Sequence, residues 1–165
     1  LIMYIGLISD THGVFDARFK EFLAPVDQIW HAGDFGGGMG LAEEIAAFKP
    51  LLGVAGNCDN HELRFIHPLH RFFECEGMKI LMTHIGGYPG RYDPKARKLI
   101  DEYCPDIFVC GHSHILKVVH DPKRDMLVVN PGAAGIQGFH IVRTALRFHI
   151  NNGKIHDMEV FELER

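Results

Sequence analysis

The sequence has no basic excess: 17 Lys and Arg stand against 21 Asp and Glu, a net charge of −4 with histidine neutral. Duplex DNA and anionic membranes call for the opposite balance, so neither is an expected partner. No basic track that could follow a single strand of nucleic acid is present either. Paired cysteines are missing as well. Cys58, Cys75, Cys104 and Cys110 form no C-x-x-C pair and no zinc-finger spacing, so they read as free thiols in a reducing compartment, and a cytoplasmic location is expected. Long apolar runs are lacking. Leu1–Ile8 is stopped by Asp10 and carries neither a basic leader nor a cleavage site, which leaves a strand rather than a signal peptide or membrane span. Linkers, low-complexity tracts and repeats are also absent, so residues 1–165 are expected to fold as a single domain.

What the chain does have is histidine. Twelve of 165 residues are His, the commonest side-chain metal ligand, within a composition 47% apolar that can fill a core without staples. Five short apolar runs predict buried strands: Met3–Ser9, Gln28–Gly33, Leu51–Gly56, Lys79–Thr83 and Ile107–Gly111. Helices are predicted over Asp16–Ala24, over Leu41–Phe48 with Leu41, Ile45 and Phe48 facing the core, and from the Asp93-Pro94 cap to about Tyr103. The last third changes character. Lys117–His120, Met126–Val129, Ala145–Ile150 and, after the Asn152-Gly153 turn, Lys154–Leu163 read as strands without helices between them. The expected arrangement is a first sheet with helices, closed by an antiparallel second sheet, the two packed face to face.

Each of the five early runs ends in a potential metal ligand: Asp10, Asp34, Asn57, His84 and His112, separated by 24, 23, 27 and 28 residues. That is about one strand-helix-strand unit each, and the carboxyl ends of strands in an open α/β sheet share the edge where ligands bind. His12 and His114 follow Asp10 and His112 at i+2, where extended backbone would point both members of a pair the same way. Singly, an Asp after a strand is a turn or a cap. The ordered set, five at strand ends and two at i+2, is the expected metal site.

Asp10-Thr11-His12, Gly33-Asp34, Gly56-Asn57-Cys58-Asp59, His84 and Gly111-His112-Ser113-His114 resemble the motifs of the calcineurin-like metallophosphoesterase superfamily. With Asn130-Pro131-Gly132, the short chain is similar to its small bacterial and archaeal phosphodiesterase branch, over roughly residues 3–163. The resemblance implies an α/β fold, a four-layer α/β/β/α sandwich of two packed mixed sheets flanked by helices. It also implies two divalent transition-metal ions, one on Asp10, His12, Asp34 and His114, the other on Asp34, Asn57, His84 and His112, with Asp34 bridging. A hydroxide between the ions would attack phosphorus in line. A nitrogen and oxygen ligand set without thiolate suits manganese, the first expectation, and also iron, zinc or nickel. Two ions, two aspartates and a hydroxide leave a local charge of +1, which attracts a phosphodiester despite the negative whole.

One position departs from the superfamily. Where many members carry a histidine that protonates the leaving oxygen, this chain has Cys58, a poor acid. His61 is a substitute candidate for the acid, and Asp59 is expected to orient Asn57 or a histidine. Arg91, beside Tyr88 and Tyr92, is a candidate substrate contact or a loop cap. Gly36–Gly40 reads as a rim loop, since it lacks the Lys-Ser/Thr of a P-loop. His31 is expected behind the site, and His67, His70, His120, His140, His149 and His156 are expected to be structural or exposed.

The leading functional reading is therefore a phosphodiesterase acting on a small substrate, as a homodimer if it follows its small relatives. The alternatives are a protein-binding scaffold like the retromer subunit that shares this resemblance, a phosphomonoesterase, or a nuclease.

Overall fold

A computed structural model describes all 165 residues. The elements run β1 (Ile2–Ile8), α1 (Ala17–Leu23), β2 (Gln28–His31), α2 (Met39–Phe48), β3 (Leu51–Gly53), α3 (His61–Ile66) and β4 (His70–Cys75). They continue with β5 (Met78–Thr83), α4 (Pro94–Tyr103), β6 (Ile107–Val109), β7 (Leu116–Asp121), β8 (Met126–Pro131), β9 (Val142–Asn151) and β10 (Lys154–Glu164). Two five-stranded sheets result, ordered β10-β9-β1-β2-β3 and β4-β5-β6-β8-β7. Each is mixed: β1, β2 and β3 run parallel, as do β5, β6 and β8, while β9, β10, β4 and β7 pair antiparallel.

The predicted strands form, but not in the expected partition. The chain leaves the first sheet after β3, builds the second from β4 to β8, and returns β9 and β10 to the first beside β1. The late antiparallel strands are thus shared between the sheets instead of making one of their own. Alternation in a strand says which face is apolar, and it does so correctly for Leu146, Phe148 and Ile150, which enter the core between the sheets. It says nothing about which strand lies alongside.

Three buried clusters separate four layers. Between the sheets, Ile5, Leu7 and Trp30 meet Ile80, Met82 and Val109. Outside the first sheet, Phe19 and Leu23 of α1 and Leu41 and Ile45 of α2 cover Ile8 and Ile29. Outside the second, Ala96 and Ile100 of α4 cover Leu81, Phe108 and Val128. The predicted Asp93 cap is in place, accepting from the Lys95 and Ala96 amides at 3.0 and 3.1 Å, and Asp16, expected inside its helix, instead caps it by accepting from the Phe19 amide at 3.4 Å. Two elements, α3 and β4, had no sequence signal. The first has six residues with only Leu63 buried, and the second is an edge strand, His-Arg-Phe-Phe-Glu-Cys, whose apolar residues do not alternate and of which only Cys75 is buried, so neither shows an apolar period in the sequence. No helix is long and apolar enough to cross a membrane.

Candidate metal centre

The loops that follow β1, β2 and β3 carry Asp10, His12, Asp34 and Asn57, and those that follow β5 and β6 carry His84, His112 and His114. The seven residues therefore come from two sheets, not from one edge of one sheet. The loops are tied to one another: the Asp10 amide donates to Gly33 O at 2.9 Å, His12 to Asp34 O at 3.1 Å, and Gly111 to His84 O at 2.8 Å. Close approach is enforced at Gly56, where a Cβ would run into the Asp34 carboxylate and amide, and at Gly33, where it would meet His84 Nδ1 at 2.6 Å.

The backbone at the site is not extended. Asp10, His12, Asp34, His112 and His114 all have positive φ, between 45° and 70°, a conformation non-glycine residues hold only where surroundings over-determine it. The convergence of Asp10 with His12 comes from this left-handed turning, which corrects the expectation of an extended pair. His112 and His114 diverge instead, each joining a different group of ligand atoms. Asp10, His12 and His114 present atoms mutually within 4.8 Å, and so do Asp34, His84 and His112.

Distances describe a continuous polar cluster. Asp10 Oδ1 lies 3.2 Å from His114 Nε2, 3.7 Å from His12 Nε2 and 3.8 Å from His84 Nε2. Asp34 Oδ2 lies 3.2 Å from His84 Nε2 and 3.6 Å from His12 Nε2, which places it against both groups. Asn57 Oδ1 is 3.2 Å from His112 Nδ1. His84 Nδ1 faces the Ala32 carbonyl at 2.7 Å and donates to it, so Nε2 presents its lone pair to the cluster, as outer partners arrange in metal sites. The second Asp10 oxygen accepts from Ser9 Oγ at 2.6 Å and the His112 amide at 3.0 Å.

Two buried atoms, Asp10 Oδ1 and His84 Nε2, have no hydrogen-bond partner. Leaving such groups unpaired is costly, and a cation between them would satisfy both. The donor set of carboxylate, imidazole and amide oxygen fits a divalent transition metal. Burial pushes the Asp10 carboxyl up, but the neighbouring His114 and His12 imidazoles pull it well below the carboxylate range. Burial likewise opposes ionisation of Asp34, and His84 with the Cys58 amide outweighs it. The His84 imidazole is disfavoured as a cation by burial, yet Asp34 and Asp10 raise its proton affinity; Asp10 does the same for His12. Negative potential at this spot calls for positive charge.

The remaining candidates fall in different places. Cys58 is exposed and its thiol shares a group with His12 and Asp34. Burial and the Asp34 charge push that thiol up, so it stays protonated, while its amide donates to Asp34 Oδ1 at 2.9 Å. Asp59 hydrogen-bonds neither the Asn57 side chain nor a histidine. Its carboxylate accepts from four amides, those of Asp34, Phe35, Gly36 and Gly56, at 2.8–3.2 Å, and so clasps the second and third loops together. His61 opens α3, exposed, and lines no depression at the centre. Arg91 closes a turn with Tyr88 and borders a depression of about 280 Å³ that shares His112 and Ser113. The glycine run leads into α2 without lining any of these. His31 is fully buried behind the centre, with Nδ1 accepting from the Gly33 amide at 3.0 Å and Nε2 donating to Thr11 Oγ1 at 3.0 Å.

One residue assigned no role by the sequence stands at the rim. His140 meets His114 edge-on at 5.0 Å and, with Phe139 and Cys58, borders a depression of about 480 Å³ over the cluster. It follows no strand, so spacing could not point to it. On the other side, Asn57 and His84 open onto a mainly apolar groove of about 590 Å³ walled by Leu69, Ile85 and Leu99.

Comparison with known proteins agrees with this geometry. The calcineurin-like phosphoesterase superfamily domain matches residues 3–153. A probable metallophosphoesterase of Methanothermobacter thermautotrophicus is 33% identical over 141 residues, covering 79% of this chain and 77% of that protein. The Zn²⁺ complex of Vps29 from Entamoeba histolytica superposes with a TM-score of 0.74 at 16% identity, covering 98% of this chain and 99% of the other. A novel archaeal phosphodiesterase does so at 0.70 and 22% identity, over 96% and 100% of the two chains. The two structural likenesses show a shared fold.

Proposed function

The chain belongs to the calcineurin-like phosphoesterase superfamily, and from that membership we propose that it hydrolyses small phosphodiesters with two divalent metal ions held where its two sheets meet. The observation that carries the proposal is the pair of unpartnered buried atoms, Asp10 Oδ1 and His84 Nε2, 3.8 Å apart and contributed by different sheets. Asp10, His12, Asp34 and His114 would hold one ion and Asp34, Asn57, His84 and His112 the other. Manganese heads the candidates, before iron, zinc and nickel. Bound there, the ions would supply an acidified water and neutralise the phosphoryl oxygens.

The protein's own residues do the rest. Ser9 and the His112 amide aim Asp10, the Cys58 amide aims Asp34, and Ala32 O sets the His84 tautomer. Asp59 holds the Asp34 and Asn57 loops at fixed separation, a positioning role rather than a chemical one. The phosphoryl group sits over the cluster, one ester arm on the apolar groove beside His84 and the other under Phe139 and His140. Arg91 is assigned to the far end of a longer substrate. With a protonated thiol at Cys58 and His61 turned to solvent, the leaving oxygen receives little help, so phenolic esters should turn over better than alkyl ones.

The test is hydrolysis of nitrophenyl diesters and monoesters by protein stripped with a chelator and reloaded with Mn²⁺, alongside elemental analysis. The expected result is diester cleavage only in the reloaded protein. Cleavage by metal-free protein overturns the mechanism, and metal uptake without any cleavage favours the scaffold reading.

A further inference from the structure

Away from the centre, three ligating side chains converge that the proposed reaction does not use. His149 on β9 and His156 on β10 are direct cross-strand partners, and Tyr4 on β1 is the partner of His149 on its other side. These lie on the face of the first sheet opposite Phe148 and Ile150, near the end of β1 remote from Asp10. The four strand steps from Tyr4 to Ile8, at about 3.3 Å each, already put roughly 13 Å between Tyr4 and the strand end that leads to Asp10.

Asp157 would ordinarily point to the opposite face from its neighbour His156, because side chains alternate along a strand. Here it does not. The register of β10 shifts between His156 and Glu159, and Asp157 has a φ of 54°, so the chain turns its carboxylate back beside the imidazole. Asp157 Oδ2 is 2.8 Å from His156 Nδ1, and ligand atoms of His149, His156 and Asp157 lie mutually within 4.8 Å. Tyr4 stacks on the His149 ring at 3.9 Å and holds it in place. The buried His149 Nδ1 has no hydrogen-bond partner.

We infer that His149, His156 and Asp157 form a second metal site, separate from the centre between the sheets, which takes a borderline divalent ion such as Zn²⁺ or Cu²⁺. Two imidazoles and one carboxylate suit these ions and disfavour Mg²⁺ and Ca²⁺, which want oxygen ligands. The two rings are stacked at 5.4 Å and nearly parallel, and parallel rings do not share an ion in both planes. His156 must therefore turn on binding, which its exposed side chain is free to do, while His149 stays clamped by Tyr4. Three protein ligands leave remaining positions to water, which makes this an open site of moderate affinity on the surface rather than a closed structural one.

The test compares metal content in wild-type protein, His156→Ala and Asp157→Asn, each stripped and then equilibrated with Zn²⁺. Both changes lie on exposed side chains, and Asn tolerates the left-handed backbone that Asp157 adopts. The wild type should hold one equivalent of Zn²⁺ per chain beyond that of His156→Ala, with Asp157→Asn losing the ion at limiting Zn²⁺. Cu²⁺ supplies the second readout: its resonance spectrum should show a two-nitrogen signal in the wild type that is missing from His156→Ala. Equal metal content and identical Cu²⁺ spectra in wild type and His156→Ala would overturn the site. Neither readout is hydrolysis, so the result is independent of the phosphodiesterase proposal.

Discussion

Asp10 and Asp59 are both buried aspartates in the same cluster of loops, and their surroundings give them opposite jobs. Asp59 spends its oxygens on four amides, whereas Asp10 keeps one oxygen without a partner. Asp34 stands between: one oxygen is aimed by the Cys58 amide, the other faces His12 and His84. Asp34→Asn should therefore lose metal and nearly all activity, while His61→Ala, on an exposed helix start, should change kcat less than about 10²-fold, the lower bound for loss of a general acid. Comparable losses, with folding intact by circular dichroism, would remove Asp34 from its bridging role. His31 offers a pH-dependent readout. Burial drives its imidazole down to about 3 from an ordinary 6.5, so the folded ring refuses a proton that the unfolded chain accepts. Its contribution to stability is full above about pH 6.5 and is lost as pH falls toward 3. Ring NMR should show His31 neutral well below pH 6, and a normal imidazole titration there would contradict its burial against Phe35.

At the scale of elements, the strands themselves are ordinary and the turns after them do the selecting. A strand end followed by a left-handed residue throws the next side chain sideways, which is how the Asp10 turn brings His12 into its own group while the His112–His114 turn divides its two ligands between groups. Such turns need backbones closer together than most residues allow. Gly56→Ala tests this: its methyl would collide with the Asp34 carboxylate and amide, so the β3 loop must shift away from the β2 loop. The expected outcome is weaker metal retention together with a stability loss of about 1–3 kcal/mol, the usual cost of overpacking. Retention of metal equal to wild type would show that the loop gives way elsewhere.

For the whole molecule, the decisive fact is that the candidate ligands belong to both sheets. An ion held between Asp10 or Asp34 and His84 or His112 joins the two halves of the sandwich, and binding to the folded state alone adds stability by mass action. At an ion concentration about 100 times Kd that is about 2.7 kcal/mol. Chelation should lower Tm, and adding Mn²⁺ back should restore it. A Tm indifferent to metal, in protein shown by elemental analysis to bind it, would mean that the unfolded chain holds the ion as well as the folded one, against a site assembled by the fold.

All strands but β4, the Asp93 cap and the ordered Asp, Asn and His residues at strand ends were legible in the sequence, because apolar periodicity and capping are local and survive in one dimension. The α/β class followed from their alternation, and the resemblance those motifs carry pointed to the family. Which strand neighbours which was not legible. The return of β9 and β10 to the first sheet, the left-handed turns that replace extended pairs, the clasp made by Asp59, and His140 at the rim all depend on contacts between residues far apart in the chain. Tertiary packing alone decided those, since a side chain's period fixes the face it shows and leaves its partner to whatever backbone folds against it.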